Sequence, residues 1–212
     1  MDKNVVISEV SKIVAEFSKT PYEVNPRAKK VFLSAGDTDE YHVLGNLLSE
    51  IYVSDSPCRK VLDTTGLTCE VMVGENFDSE YKKQLKELAD KVSAIILHDH
   101  VDNMAELMSS CDFAVSAGGR VIYQLCSVGV PTVVFSMSDP EAEFVQYFDS
   151  VGAAKYAGDA RKDKRLFQKI ATWGTAAVDN QGFRARMSKN AKEISSEKNI
   201  ENIAELILKV TK

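Results

Sequence analysis

Ser116-Ala117-Gly118-Gly119 stands between a short apolar strand, Asp112-Phe113-Ala114-Val115, and the helical run Val121-Ile122-Tyr123-Gln124-Leu125-Cys126. A strand that ends in two glycines and runs straight into a helix exposes backbone N–H groups at the positive end of that helix. Without a Cβ in the way, a phosphate or diphosphate can approach them closely. Gln124 lies about one and a half turns further along, and Val130-Pro131-Thr132-Val133-Val134-Phe135 follows as the next strand. A Gly-Gly pair also suits a tight turn that needs glycine only for packing, so the pair alone assigns no ligand.

Outward from this unit, helices and strands alternate. Apolar residues at Val6, Val10, Ile13, Val14 and Phe17 predict an amphipathic helix over 5–17, and Pro21 and Pro26 mark a connector. Strands are expected at Val31-Phe32-Leu33-Ser34, Glu70-Val71-Met72-Val73, Ala94-Ile95-Ile96-Leu97 and Ala153-Ala154-Lys155-Tyr156. Helices are expected through Leu44, Leu47, Leu48 and Ile51, over 79–91, after the Asn103/Glu106 capping box, and over 140–149. The end of the chain reads as helices over 166–173, 180–195 and 200–210. The stretch 54–66 is rich in turns, with short structure possible at Lys60-Val61-Leu62-Asp63.

Near-continuous apolar strands separated by helices predict an α/β fold, a Rossmann-like parallel sheet with helices on both faces, plus an N-terminal helix. The expected division is an N-terminal helix and connector, 1–30, and an α/β domain, 31–212. Ligands of such sheets bind beyond the carboxyl ends of the strands. The expected site therefore gathers the stretches 36–38, 98–104, 116–124 and 136–143.

Composition limits the function classes. The chain has 212 residues, 44% hydrophobic and 27% charged, as in ordinary soluble domains. A formal net charge of −5 argues against a nucleic-acid partner. No apolar run approaches the roughly 20 residues of a transmembrane segment, and Met1-Asp2-Lys3-Asn4 leads into no signal-peptide core, so the expected location is cytoplasmic. Cys58, Cys69, Cys111 and Cys126 form no C-x-x-C pair; Cys111 and Cys126 read as buried apolar residues in a reduced compartment.

Other candidates for chemistry are weaker. His98 and His100 have the i, i+2 spacing of an extended metal-binding pair, with Asp102 close by, but no metal site is expected there and no cofactor elsewhere. His42 reads as solvent-facing. Asp37, Asp39 and Glu40 suggest acids at a helix start more than a cation site. The run 161–165 reads as a solvated helix start, and Trp173 as core.

The stretch Val101-Asp102-Asn103-Met104-Ala105-Glu106-Leu107-Met108, together with Ser116-Ala117-Gly118-Gly119, Tyr123-Gln124-Leu125-Cys126 and Gly129-Val130-Pro131-Thr132, resembles the C-terminal domain of GT-B nucleotide-sugar enzymes. It is most similar to the UDP-sugar hydrolase of the pseudaminic acid pathway and to spore-coat polysaccharide proteins. It is more distantly similar to the glycosyltransferase that completes lipid II. The resemblance implies that this domain binds the nucleotide half of a UDP-sugar. The backbone of Val101 would face uracil with Met104 beside it. Gly118 and Gly119, with Ser116 and the N–H groups of Arg120 and Val121, would receive the diphosphate. Gln124 stands where the family has a glutamate on the ribose hydroxyls. Gly36 and Thr38 would line the opposite wall, and Asp139 would begin the loop that approaches the sugar.

The chain departs from that pattern at Gln124, at Asp37 in place of a second glycine, and at Glu141-Ala142 in place of an amide side chain for the sugar. Residues 1–30 read as one helix and a connector, so the family's N-terminal domain, which carries the catalytic histidine in the hydrolase, is not expected among these residues, and the catalytic residues are unknown. The resulting expectation is a UDP-sugar-binding domain of a nucleotide-sugar hydrolase that uses a second domain or partner chain. The alternatives are a donor-binding subunit of a split glycosyltransferase, as in the two-subunit eukaryotic N-acetylglucosaminyltransferases, and a non-catalytic interaction module. The first helix would cover surface left by the missing domain, or dock a partner.

Overall fold

A computed structural model describes residues 2–53, 55–56 and 66–210. Six parallel strands form one sheet: β1 (Lys30–Ser34), β2 (Thr68–Met72), β3 (Ile95–His98), β4 (Phe113–Ala117), β5 (Thr132–Ser136) and β6 (Ala154–Asp159). Their spatial order is β3-β2-β1-β4-β5-β6. Successive strands pair in one direction from β1 to β3, and the chain then crosses back to place β4 on the other side of β1. Ser34 of β1 is in register with Met72 of β2 and with Ser116 of β4. The loops after β1 and β4 thus diverge from adjacent strand ends, which opens a crevice at the point where strand order reverses.

The strands read as apolar because both faces are covered. Val31, Leu33, Val71, Val115, Val133 and Phe135 point to one face. There they pack on α2 (Val43–Tyr52), α3 (Ser79–Lys91) and α7 (Leu166–Asp179). Phe32, Ala114 and Val134 point to the opposite face, covered by α4 (Met104–Ser109), α5 (Arg120–Val128) and α6 (Asp139–Ser150). The period-two alternation of side chains along each strand produces this division.

An outer layer covers the second face. It consists of α1 (Lys3–Phe17), α8 (Gln181–Ile194) and α9 (Ile200–Val210). The apolar stripe Val6, Val10 and Val14 shares a core with Ile122, Tyr123, Ile203 and Ala204, and Asp2 caps α1 through the Asn4 N–H. The first helix thus packs into the core it shares with α5 and α9. The connector is fixed too: the buried Asp112 carboxylate accepts from Asn25 Nδ2 and from the N–H groups of Lys29 and Lys30, and the Tyr22 hydroxyl donates to the Asp112 carbonyl.

Several boundaries differ from the sequence expectation. β6 runs on to Asp159 because Gly158 and Asp159 pair with Phe135 and Ser136 of β5. α7 continues past Trp173 to Asp179, where the fully buried Arg184 donates to the carbonyls of Ala177 and Val178. β2 begins at Thr68, two residues before the expected Glu70, because Thr68 and Cys69 pair with Lys30 and Val31 of β1; Glu70 is a buried carboxylate paired with His98 and Lys30. Cys69, Cys111 and Cys126 are buried free thiols, the latter two as expected. Cys58 and the short structure considered at 60–63 lie outside the described residues.

Candidate functional site

The crevice between the β1 and β4 loops widens into a cleft of about 880 Å³. Its floor at one end is the strand-to-helix turn after β4. Gly118 continues the sheet edge, donating its N–H to the Phe135 carbonyl at 2.9 Å. Gly119 then turns the chain with φ 88° and ψ −149°, a conformation restricted to glycine, and becomes the N-cap of α5. It has no side chain with which to cap the helix, and no acid lies in the first turn. The first-turn N–H groups therefore end at an uncapped positive terminus beside open space. A methyl group on Gly119 would meet nothing within 4 Å.

Arg120, exposed and without an ion-pair partner among the described residues, adds a full positive charge at that terminus. Val121 and Gln124 also line the cleft from α5. The opposite wall is the loop after β1, where Gly36 (φ 76°), Asp37 and Thr38 face the cavity. The loop after β2, Gly74-Glu75-Asn76, supports that wall. Gly74 lies so close to the Gly36 and Asp37 carbonyls that a Cβ would clash at 2.6 and 2.5 Å, and Asn76 N–H donates to the Asp37 carbonyl at 3.1 Å.

The far end is apolar. Phe32, Met72, Met104 and Met108 form a slot beneath Asp99, His100 and Val101 of the loop after β3. That loop is tied down from below. His98 bonds the buried Glu70 carboxylate at 2.7 Å, and its carbonyl accepts from the Val73 N–H at 2.9 Å. The cleft thus carries an apolar slot at one end and an anion-seeking helix terminus at the other, with Gln124 between them on α5. Its lining is otherwise acidic: Asp37, Glu75, Asp99 and Glu141 stand against the single guanidinium of Arg120.

Eight of the residues expected from sequence line this one cavity: Gly36, Thr38, Val101, Met104, Gly118, Arg120, Val121 and Gln124. Gly119 sits at its edge and faces an adjoining groove. Two others are engaged elsewhere. The buried Ser116 hydroxyl donates to the Ala117 carbonyl at 2.9 Å. The exposed Asp139 carboxylate is paired with Arg161 and with Lys162, the latter at 3.2 Å. Arg161 and Lys162 hold Asp139 below the usual carboxylate range. Arg161 also lowers the pKa of Asp159 to about 2.

Met137, within the expected stretch 136–143, lines the cleft, and so does the Gly74–Asn76 loop, which the sequence reading did not include. The position of Gly74 at a strand's carboxyl end was the available signal. Asp39, read as an acid at a helix start, accepts from the N–H groups of Val43 (2.7 Å) and Leu44 (2.9 Å) and from the Tyr81 hydroxyl (2.7 Å). His42 is half-exposed and stacks on Tyr81. His98 and His100 engage separate carboxylates, Glu70 and Asp102. Among the described residues, no cluster of three or more potential ligands is placed to hold a metal ion. None of the described helices is long and apolar enough to cross a membrane.

No family model matches the chain. An uncharacterized protein of Methanocaldococcus jannaschii is 24% identical over 136 residues, covering 60% of this chain and 26% of its own length. Among solved structures, MurG of Acinetobacter baumannii superposes with a TM-score of 0.60 at 14% identity, over 93% of this chain and 55% of MurG. Anabaena HepE, crystallised with UDP and glucose, gives 0.59 at 14% identity over the whole of this chain and 54% of HepE. UDP-GlcNAc 2-epimerase from Neisseria meningitidis, bound to UDP-GlcNAc, gives 0.56 at 15% identity over 99% of this chain and 51% of the epimerase. The fold is thus that of GT-B glycosyltransferase and epimerase domains. The chain spans about a quarter of the curated relative and about half of these solved structures.

Proposed function

We propose that this chain is the donor-binding domain of a GT-B-type nucleotide-sugar enzyme and that its cleft holds UDP. The observation that carries the reading is the uncapped start of α5, where Gly119 turns the chain at φ 88° and Arg120 lines a cleft whose other end is apolar. Uracil would lie in the slot of Phe32, Met72 and Met104 against the backbone of Val101. The ribose would reach Gln124, and the diphosphate would lie on the N–H groups of Gly119, Arg120 and Val121.

The reaction favoured is UDP release from a deoxy-amino sugar in surface-glycan synthesis. A water oxygen would form a bond to the anomeric carbon as the bond from that carbon to the diphosphate oxygen breaks. The charge that develops on the departing UDP falls on the α5 terminus and Arg120, which are in place before the step begins. The base that takes the water's proton would come from a second domain or partner chain. Transfer to a sugar acceptor would use the same leaving-group contacts, so a split transferase remains the nearest alternative. The acidic lining at Asp37, Glu75, Asp99 and Glu141 favours a third reading, an interaction module that has lost its nucleotide.

Calorimetric titration of the folded chain with UDP separates these readings. Binding in the micromolar range, weakened by Arg120→Ala, is expected of a donor domain. No heat from wild type, with the fold verified by circular dichroism, would favour the module.

A further inference from the structure

A second cavity adjoins the anion end of the cleft. It is a groove of about 260 Å³ between α1, α5, α6 and α9. Its walls are Val10 and Ile13 of α1, Phe144 of α6 and Ile207 of α9, and Gly119 and Arg120 close the end it shares with the cleft. Tyr123 lines it as well. This residue is only 6% exposed, its ring packs edge-on against Phe144, and its hydroxyl has no hydrogen-bond partner among the described residues. The ring is buried while the hydroxyl, which is not among the buried unpaired atoms, is left free to exchange a hydrogen bond with a ligand in the groove. Burial pushes the Tyr123 phenol upward while Arg120 draws it back, as expected if the guanidinium stands near the phenol.

We infer that this groove binds the hydrocarbon chain of a single-chain aliphatic phosphate whose head rests between Arg120, the start of α5 and the Tyr123 hydroxyl. The apolar walls select the chain, and the uncapped terminus with its guanidinium selects the anion. A bilayer surface is the wrong partner, because the groove's lining holds one cation, Arg120, where an anionic membrane selects a cluster of lysines and arginines. The inference rests on the proposed function only in sharing its anion end.

The test is calorimetry of the full chain with inorganic phosphate and with butyl, hexyl and octyl phosphate, each below its micelle concentration. Affinity is expected to rise with chain length, by about fourfold at most per methylene, until the groove is filled. Ile13→Glu should reduce octyl phosphate affinity tenfold or more while inorganic phosphate binding is unchanged, and Tyr123→Phe should cost severalfold. The absence of chain-length dependence in wild type would overturn the inference whether or not the variants fold. So would equal binding of octyltrimethylammonium, or capture by anionic vesicles without binding of the monomeric phosphates. UDP binding without chain-length dependence would sink the groove alone. Chain-length dependence without UDP binding would sink the donor reading alone.

Discussion

Gly118 and Glu141 are packed so closely that a methyl group on Gly118 would lie 3.2 Å from the Glu141 Cβ, and 3.0 Å from the Val145 Cγ1. The starts of α5 and α6 are therefore locked together at the rim of the cleft. Glu141 fixes its own end of this contact by accepting the Met137 N–H at 2.7 Å. Its carboxylate is thereby committed to the loop before α6, at the position where the resemblance calls for an amide side chain toward a sugar.

Alanine substitutions should separate the two glycines. Gly118→Ala presses on the Val145 and Glu141 side chains and should lower stability by about 1 kcal/mol through overpacking. Gly119→Ala meets no neighbour, but it places a Cβ on a backbone at φ 88° and ψ −149°, and should cost ~1–3 kcal/mol as strain. Only at Gly119 does the new methyl group enter open space beside the proposed phosphate position. Urea denaturation should therefore show both variants destabilised, and UDP titration should show the larger affinity loss for Gly119→Ala.

Arg120→Ala tests the charge apart from the fold. The side chain is exposed and makes no ion pair among the described residues, so the melting temperature should stay within about a degree of wild type. UDP affinity should fall about tenfold, which corresponds to ~1.4 kcal/mol. It should also become less sensitive to salt, as expected after removal of a charge that faces the diphosphate. Unchanged UDP affinity would remove Arg120 from the site.

The α2 start offers a test of the cleft's opposite wall. Asp39 accepts three hydrogen bonds, from the Val43 and Leu44 N–H groups and from the Tyr81 hydroxyl, which itself accepts from the Gly45 N–H at 2.8 Å. Asp39→Ala should cost about 2–4 kcal/mol, since it leaves buried donors unpaired. Tyr81→Phe should cost less. Because both act on one network, the double variant should be less destabilised than the sum of the two, which a double-mutant cycle in urea would measure.

These residues also show how far the sequence could be read. The run from Asp112 to Phe135 fixed strand, turn, helix and strand because its apolar continuity and its two glycines each have one local meaning. Asp39 was legible as a helix-start acid for the same reason. The Gly74–Asn76 wall was not, because its meaning is contact with Gly36 and Asp37, about 37 positions earlier in the loop after the adjacent strand β1. Glu70 was legible as a strand residue, but its partners were not, because only the assembled sheet brings Lys30 and His98 to it. The engagement of Asp139 by Arg161 likewise depends on β5 and β6 lying side by side.

That pair has a pH consequence. Arg161 holds Asp159 at about 2, below the 3.8 of an unperturbed aspartate, and also lowers Asp139. A carboxylate depressed in the folded state contributes stability above its unfolded pKa and loses it as pH falls toward the folded value. Stability should therefore drop between roughly pH 4 and pH 2 by an amount that includes this pair. Arg161→Met should lower stability near pH 6 and flatten the acid limb, so that the two proteins converge near pH 2. Parallel curves in acid denaturation would show that the ion pair does not set this limb.

Gln124 provides the most direct test of the ribose assignment. It lines the cleft on α5, one turn beyond Arg120, between the apolar slot and the phosphate end. An amide offers one acceptor oxygen to a pair of hydroxyls, whereas a carboxylate offers two and bears the charge that strengthens both bonds. The change Gln124→Glu keeps the length and shape of the side chain, so stability should hold. If the residue faces the ribose, UDP affinity should rise about fivefold, or ~1 kcal/mol. The gain should vanish for 2′,3′-dideoxy-UDP, which presents no hydroxyls to the new carboxylate. The diphosphate works against any such gain, because the added charge joins an already acidic lining at Asp37, Asp99 and Glu141. Weakened binding of both ligands alike would therefore place position 124 beside the phosphates instead of the sugar, and would reverse the orientation of the nucleotide in the cleft.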